Sequence, residues 1–583
     1  MLKHEQFYFL IVSSVIIIRL PYVLYSNLDM MTSKIKLLLL LVSIILVSFL
    51  LRFYQLGLVP NGITVDEADV GYNAFLILKT GKDVYDRSYP LFFQSFDVYQ
   101  PSFQIYASIP AIYLFGLNDI SIRIIPAFIG VLSTILFYFI AKLLFPKQTK
   151  LTVLAFLLIT LSPWNIAISR GNLVTVEVIF LYFLFFVLFL YGIYKNAKVL
   201  PFSFIFLGLT IYAYHIAIIY LPLLLILLAI IYKKELVKHW SLALLSIAVV
   251  FVVTIPAILF YQNPITHNRF DTVTSLTPDI TLPTSIAEME NDNNSLISKI
   301  LHNRRLVYAN VLFDTYFDYF NLDYLFINSK NIRYFYVNYV GIFYFIELPF
   351  VIYGLKILLQ RRQQVDQLLL GLLLIGPIPA AFALGSPFVH RAPILLFAIQ
   401  MISAVGIAGI LKDIGSKKIN YGSYYLLVIY LIYSIGVLHF THQYFVHSPR
   451  EFTSELDNSA WFSSVKNVIP IINANENKYD KVVFTWSKTK LVPAVYFLFY
   501  NQIDPKILQA KARKWTNEPP SYKQIYNQIG NIEFRPINWE TDQFLKNTLF
   551  VGYPSEFPND INSVIARTFT PNGQSHFLIV KSN

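Results

Sequence analysis

The stretch "GITVDEADVGYNAFLILKTGKD", Gly62 to Asp83, places two acids directly after an apolar run from Ile35 to Leu51. A helix needs about 20 apolar residues to cross a bilayer, and this run is close to that length. Asp66 and Glu67 therefore follow the point where a membrane span would end. The acid pair is predicted to lie at the edge of a membrane.

The composition indicates a membrane protein. The 583 residues are 56% apolar and 14% charged, which is more apolar than soluble domains usually are. The net charge of +12 does not indicate nucleic-acid binding, because the basic residues stand in short segments between apolar runs rather than on one soluble face. Cysteine is absent, so chemistry must rely on carboxylates, histidines, arginines or hydroxyls.

Eleven apolar runs are near the length of a membrane span. They cover residues 35–54, 122–144, 151–168, 172–194, 199–213, 215–232, 241–261, 337–359, 366–385, 391–411 and 421–441. Alternate connections between these runs are all basic, which the positive-inside rule assigns to the cytoplasm. The opposite connections, which include a first outer loop at 55–121 and a long outer loop at 262–338, are predicted to face out.

The two ends of the chain differ from this central part, which is predicted at residues 35–442. Residues 1–34 form an N-terminal extension, and the sequence leaves open whether it is a further span, a short interfacial helix or an upstream addition. Residues 443–583 contain an amphipathic helical pattern, "SVKNVIPIINAN", and strand patterns such as "YDKVVFTW" and "HFLIVKS". We therefore predict a multi-pass α-helical protein of the cell membrane, with a C-terminal extracytoplasmic α/β domain.

The acid pair has two interpretations. Thr64 and Glu67 have the spacing of a capping box, in which the threonine and the acid satisfy free amides at a helix start. Asp66 would then only complement the helix dipole. The first outer loop, however, is much longer than the reconnection of two spans requires, and long loops in compact proteins are usually functional. The length of the first outer loop therefore favours a functional site that includes the acid pair.

Other ionisable side chains lie at the same predicted outer level. They are Arg123, Arg170, Glu177, His215, His390 and Arg391. Ionisable groups cost on the order of 2.5–3.5 kcal/mol at the centre of a membrane helix, so several at one level suggest a shared polar cavity. Structural alternatives remain for each: an arginine can reach the headgroups, His215 can join an aromatic belt, and Glu177 can pair with Arg170 or contact a substrate.

Five segments together resemble one enzyme family. They are "VDEADVGYNAFLILKTGKDVYDRSYPLFFQSF", "LNDISIRIIPAFIGVLSTILFYFIAKLLF", "LSPWNIAISRGNLVTVEV", "YAYHIAIIYLPLLLI" and "FIELPFVIYGL". In this order they resemble the bacterial polyprenyl-phosphate-sugar-dependent glycosyltransferases of the GT-C fold. These enzymes are relatives of the protein O-mannosyltransferases and of the aminoarabinose transferase of lipid A. The likeness covers roughly residues 35–440.

The resemblance implies roles for individual residues. Asp66 matches the aspartate thought to act as general base, Glu67 is its acidic neighbour, and Arg123 in the R-x-x-P motif matches an arginine important in the mannosyltransferases. Positions that resemble the donor-cavity lining are Arg170, His215, His390 and Arg391. Asn165 stands where many relatives have a histidine, and the metal-ligand histidines of the aminoarabinose transferase have no match. The resemblance therefore leaves open whether a divalent metal ion is required, and it implies no other cofactor.

The expected reaction is inverting transfer of a sugar from a polyprenyl-phosphate donor to a hydroxyl of a protein, glycan or lipid. Asp66 would take the hydroxyl proton, and the arginines Arg391 and Arg123, then Arg170, would bind the leaving phosphate. A transporter or lipid-linked sugar flippase is the alternative, because it would also have many spans and buried ionisable groups. Polar groups gathered on one side and one elaborated loop favour an enzyme over a transporter with two related halves.

Overall fold

The computed structural model describes residues 34–262, 278–328, 337–383, 387–416, 422–451, 461–487, 492–514 and 521–582. Of the predicted N-terminal extension, only Lys34 falls within these ranges, and residues 263–277 and 329–336 of the long outer loop also lie outside the described residues. The described residues form a helical bundle followed by a six-stranded sheet.

Apolar helices occupy the part of the chain predicted to span a membrane. Within the described ranges, six are long and apolar enough to cross a bilayer: Lys34–Phe53, Ser121–Leu144, Val174–Tyr194, Trp240–Tyr261, Gln364–Ala381 and Pro393–Ile414. Shorter apolar helices cover Phe103–Phe115, Thr149–Leu161, Ala197–Ala213 and Ala217–Ile231, and two more helices cover Glu347–Arg361 and Gly422–His442. The multi-pass membrane fold is thereby confirmed, while the number of eleven crossings stays a prediction.

The remaining helices of this part lie in the connections. They are Val65–Thr80, Pro163–Ile168, Lys233–Lys238, Pro278–Asn291, Leu296–Leu301 and Arg304–Asp318, and Ser448–Glu451 follows the last of the long helices. The long helices are apolar on their outer faces as well as on their packed faces: in Trp240–Tyr261, Val252 and Leu259 are exposed while Val250 and Ala257 are buried. An exposed apolar face on a helix of span length is suited to lipid rather than to water.

The first outer loop folds into a helix, a hairpin and a second helix. The helix Val65–Thr80, called the acid-pair helix below, begins with the predicted capping box. The Thr64 hydroxyl accepts from the Glu67 amide at 3.0 Å, and Glu67 Oε2 accepts from the Thr64 amide at 2.9 Å. The strands β1 (Phe92–Ser95) and β2 (Val98–Pro101) then pair antiparallel, and Phe103–Phe115 follows them. The capping-box interpretation is confirmed.

The C-terminal region is an α/β domain. Its strands are β3 (Lys481–Phe484), β4 (Gln528–Ile529), β5 (Ile532–Phe534), β6 (Thr548–Gly552), β7 (Val564–Phe569) and β8 (Ser575–Lys581). They form one sheet in the order β4-β5-β3-β6-β8-β7, in which β3 is parallel to β5 and β6 and the other pairs are antiparallel. The helices are Ser463–Asn475, Val492–Asn501, Pro505–Ala512, Tyr522–Tyr526 and Trp539–Asp542.

The α/β domain shares one hydrophobic core with the first outer loop. The helix Val492–Asn501 packs on the acid-pair helix, where the Phe499 ring lies against Gly71. The Tyr496 hydroxyl donates to the Ile63 carbonyl across this contact at 2.6 Å. The sheet therefore lies on the same side of the bundle as the acid pair. Which side of the membrane that is remains a prediction from the charge pattern.

Candidate active site

A cavity of about 430 Å³ opens at the end of the bundle that carries the acid-pair helix. The start of that helix, the β1–β2 hairpin and several connections between helices line it. The lining residues are Asp66, Ser95, Phe96, Val98, Gln100, Pro101, Gln104, Asn172, Leu173, Val174, Thr175, Tyr214, His215, Ile216, Ile219, Pro379, Phe382, Ala383, Phe388, His390 and Arg391. Segments that are far apart in sequence thus meet around one space.

Four of the predicted site residues line this cavity: Asp66, His215, His390 and Arg391. Asp66 is exposed and lies in the first turn of its helix, where a carboxylate is favoured by the helix dipole. The cavity therefore combines a carboxylate, a guanidinium group and two imidazoles.

The segment before the helix Pro393–Ser416 fixes the basic side of the cavity. The Arg391 guanidinium lies over the Phe388 ring at 4.6 Å, and its own carbonyl accepts from the Tyr220 hydroxyl at 3.2 Å. Loss of hydration, and then the charge of Arg391, lowers the pKa of His390 to about 3. His390 is therefore neutral near pH 7, so one ring nitrogen can donate a hydrogen bond and the other can accept one. Arg391 provides the positive charge.

Glu67, predicted beside Asp66 at the catalytic site, is not among the cavity-lining residues. It is fully buried, and Arg123 Nε donates to its Oε1 at 2.9 Å while Arg123 Nη2 donates to its Oε2 at 3.2 Å. The backbone amide of Asn172 also donates to Oε1 at 2.9 Å. With both oxygens engaged, Glu67 holds the start of the helix and leaves Asp66 as the acid of the pair in the cavity.

Arg123 and Arg170, predicted to bind phosphate, also lie outside the cavity lining. Both are fully buried. Arg123 donates to three loop carbonyls, those of Leu56, Pro60 and Gly62. Arg170 donates to four more, those of Leu51, Arg52, Tyr54 and Val59. The two arginines thus satisfy the backbone of the turn between the first span and the acid-pair helix, and this arrangement supports a positioning role in place of substrate contact.

Glu177 differs from its expected arrangement as well. Its side chain is 1% exposed and is not among the cavity-lining residues. Of the two alternatives that the sequence left open, the pair with Arg170 does not form, because the terminal nitrogens of Arg170 donate to loop carbonyls. Within the described part of the chain, Glu177 Oε2 has no hydrogen-bond partner. Thr175, two residues earlier, does line the cavity.

The pattern of ionisable residues in the sequence does not indicate the uncharged polar residues that line the cavity. Gln104 Nε2 donates to Asn172 Oδ1 at 2.8 Å, and Asn172 Nδ2 donates to the Ser108 hydroxyl at 3.0 Å. Gln100, on β2, lines the same cavity. The signal available in the sequence was the cluster of amides in "YQPSFQ", Tyr99 to Gln104, within a loop already suspected of function.

The described ranges contain no group of three or more histidine, cysteine, aspartate or glutamate side chains placed to hold a metal ion. Asp66, His215 and His390 share the cavity lining without forming such a group. Within the described ranges the cavity lining thus provides no cluster of metal ligands, and the proposal below is argued from protein side chains.

Comparisons with known proteins agree with this architecture. Residues 106–260 match the family model described as dolichyl-phosphate-mannose-protein mannosyltransferase. The crystal structure of apo ArnT from Cupriavidus metallidurans is similar at a TM-score of 0.53 and 12% identity, over 93% of this chain and 97% of that chain. The same protein bound to undecaprenyl phosphate gives a TM-score of 0.52 and 14% identity, over 94% and 98%.

The chain has the GT-C glycosyltransferase fold. The expected GT-C resemblance is thus confirmed for this membrane protein. An oligosaccharyltransferase structure from Archaeoglobus fulgidus matches this GT-C chain at a TM-score of 0.49 and 12% identity, over 80% of this chain and 63% of that chain. No curated protein sequence gives a significant match.

Proposed function

We propose that this GT-C protein is a membrane glycosyltransferase that moves a sugar from a polyprenyl-phosphate donor to an acceptor hydroxyl. The observation that carries the proposal is the placement of Asp66 in one cavity with Arg391, His215 and His390. The matched family description names a dolichyl-phosphate-linked sugar, and the similar ArnT structure contains undecaprenyl phosphate. Both are lipid phosphates, and an enzyme embedded in a membrane can meet a sugar on such a carrier at the bilayer surface.

Asp66 is the proposed general base. As the acceptor oxygen attacks the anomeric carbon, its proton passes to the Asp66 carboxylate. The bond between the anomeric carbon and the phosphate oxygen breaks in the same displacement, so the configuration at that carbon inverts. The electron pair of that bond leaves with the polyprenyl phosphate. An exposed carboxylate in the cavity lining is suited to this step because an arriving acceptor can reach it.

Arg391 is the proposed partner of the leaving phosphate. A guanidinium group can donate two parallel hydrogen bonds to phosphate oxygens, and a fixed positive charge stabilises the negative charge that develops on the leaving group. His390 is neutral at pH 7, so we assign it and His215 to hydrogen bonds with the sugar or the phosphate. Arg123 and Arg170 act indirectly, by holding the turn before Asp66.

The reaction is proposed to occur on the extracytoplasmic side. Basic residues such as Lys147, Lys198 and Arg361 lie in the alternate connections that the positive-inside rule assigns to the cytoplasm, whereas residues from the other set of connections line the cavity. The α/β domain would then also be extracytoplasmic, and its contact with the acid-pair helix puts it close to an arriving acceptor.

The experiment compares Asp66→Asn with the wild type in liposomes, using polyprenyl phosphate that carries radiolabelled mannose and then other labelled sugars. The amide keeps the size of the side chain but cannot take the proton. We expect the rate of transfer to fall by about 10²–10⁴-fold, while binding of the donor is retained. Asp314→Asn, which changes an exposed carboxylate on the helix Arg304–Asp318, is the matched control and should transfer at the wild-type rate.

Two outcomes would contradict the proposal. Full activity in Asp66→Asn removes the assignment of the base. Movement of labelled donor across sealed vesicles, with no covalent transfer by the wild type to any acceptor, favours the transporter or flippase alternative instead. The GT-C fold favours the enzyme.

A further inference from the structure

Asp69 is a second carboxyl group on the acid-pair helix. It follows Asp66 by three residues, so the two side chains lie on the same face of the helix. In contrast to Asp66, Asp69 is only 4% exposed. Its Oδ2 accepts a hydrogen bond from Gln100 Nε2 at 2.7 Å, and it also bonds the hydroxyl of Ser95. Both partners line the cavity, so Asp69 supports the cavity wall from behind.

The hairpin that carries these partners is held at its tip too. Phe96 and Asp97 join β1 to β2 with φ values of +50° and +61°, a region that bulky residues rarely adopt. The α/β domain stabilises this turn: the Phe96 ring lies 4.4 Å from the Tyr522 ring, and Asp97 Oδ1 accepts from the Tyr522 amide at 2.5 Å. Asp69 thus holds the hairpin where it borders the cavity, and Tyr522 of the α/β domain holds the turn at its tip.

We propose that Asp69 is a positioning residue that fixes the side-chain amide of Gln100, and that Gln100 so held recognises a hydroxyl group of the donor sugar. This inference rests on the proposed function. An ionised carboxylate only accepts hydrogen bonds, so it keeps the nitrogen end of the Gln100 amide turned toward Asp69. The carbonyl oxygen is then the end of the amide that can accept from a sugar hydroxyl in the cavity.

The hydrogen bond between Gln100 and Asp69, called the tie below, is sensitive to pH in the neutral range. Burial raises the pKa of Asp69 to about 7, and the nearby charge of Asp66 adds to the rise, while the bonds from Ser95 and Gln100 oppose it. Titratable groups also face Asp69 from the loop after the helix and from the α/β domain, namely Tyr85, Tyr522 and Tyr526. Burial raises the pKa of each tyrosine above its usual range, so all three are neutral here.

Protonation of Asp69 weakens its hold on the Gln100 nitrogen, because a neutral carboxyl group is a poorer acceptor than a carboxylate. The KM of the wild type for the donor should therefore rise as the pH falls from 8 to 6. This dependence requires both side chains of the tie.

The experiment is a double-mutant cycle with Asp69→Asn and Gln100→Ala, assayed by transfer from mannosyl polyprenyl phosphate or whichever donor the wild type uses. We expect each single variant to raise the donor KM by roughly tenfold, the effect of one lost hydrogen bond, with a much smaller change in kcat. Asp69→Asn should add no further increase when Gln100 is already alanine, because Asp69 acts through Gln100. Both variants should lose the pH dependence of KM, and Asp314→Asn should retain it.

Equal effects of Asp69→Asn in the presence and absence of Gln100 would overturn the proposal, since they would show a structural role alone. If Asp69→Asn does not fold, Gln100→Ala tests the proposal alone. A donor KM and a pH dependence of KM that are both unchanged in Gln100→Ala would also overturn the proposal.

Failure of the proposed function is distinguishable, because the wild type would then transfer no sugar from any donor, and the recognition role of Gln100 would fall with it. The raised pKa of Asp69 is tested separately by thermal stability. Because burial raises the folded-state pKa of Asp69 above the unfolded value, the native state keeps a proton that the unfolded chain loses, and wild-type stability should fall as the pH rises from about 4 to about 7. Asp69→Asn should show a flatter pH dependence over this range, and an identical slope would contradict the raised pKa on which the pH dependence of KM rests.

Discussion

Replacing Glu67 by glutamine tests whether the buried ion pair positions the start of the acid-pair helix. Glutamine keeps the size of the side chain and can still complete a capping box, so the substitution removes little besides the negative charge. Arg123, which is 0% exposed as Glu67 is, would then be a buried cation without its carboxylate. We expect the turn from Leu56 to Gly62, which Arg123 holds, to open more often.

The expected size follows from the burial of the pair. Removing one partner of a buried ion pair costs about 3–5 kcal/mol, because the remaining charge is left uncompensated. The loss acts mainly on the local opening of the first outer loop, since Arg123 joins Glu67 to the carbonyls of Leu56, Pro60 and Gly62. The opening equilibrium should therefore rise by roughly 100- to 4,000-fold.

Hydrogen exchange with mass spectrometry measures this opening equilibrium of the first outer loop directly. Amides in the first turns of the acid-pair helix should exchange faster in Glu67→Gln by about the same factor as the opening equilibrium, while amides in the helix Val174–Tyr194 should be unaffected. Sugar transfer should fall as well, because Asp66 is adjacent to the lost contact.

The matched control is Asp86→Asn. Asp86 also binds an arginine, Arg513, through two contacts at 3.0 and 2.9 Å, but the arginine side chain is 59% exposed. Exposed pairs contribute about 0–1 kcal/mol, so local exchange should change by no more than about fivefold. An equal and small effect of both substitutions would refute the reasoning that burial makes the Glu67–Arg123 pair essential to the loop.

Two further predictions concern a histidine and a glycine. Because the pKa of His390 is lowered to about 3, it does not titrate between pH 5 and 8, and His390→Gln should keep the wild-type inflections in the pH profile of kcat/KM; a lost inflection near pH 6.5 would contradict this. Gly62→Ala should lower the thermal midpoint more than Gly530→Ala. Both glycines have positive φ, which costs alanine about 1–2 kcal/mol, but only at Gly62 would the new methyl group meet the Ser463 backbone, at 2.5 Å. Equal midpoints would show that the α/β domain is not packed closely on this turn.

Local patterns in the sequence predicted the helix before the acid pair and the start of the acid-pair helix, but not the β1–β2 hairpin that lines the cavity. The apolar run before the acid pair predicted the helix Lys34–Phe53, and the spacing of Thr64 and Glu67 predicted the capping box, because both depend on contacts within a few residues. The same is true of the tail, where "YDKVVFTW" gave β3 and "HFLIVKS" gave β8. The short strand β6, "TLFVG", was missed since five buried residues carry no alternation between apolar and polar positions.

Partners distant in sequence decided the roles of the charged residues. Arg123 and Glu67 are 56 residues apart, and no local pattern shows that this arginine binds a carboxylate and loop carbonyls instead of a phosphate. The same limit applies to Asp69, which stood in the quoted "VDEAD" stretch one turn after Asp66 but gains its meaning from Gln100 on the hairpin.

The sequence by itself determined that this is a membrane protein with an acid pair at the start of a helix, because length, hydropathy and helix capping are local properties. The tertiary structure alone decided which acid of the pair reaches the cavity. Asp66 and Glu67 are adjacent in the chain, yet successive side chains on a helix point about 100° apart. Asp66 is therefore exposed at the cavity with His215, His390 and Arg391, while Glu67 is buried against Arg123.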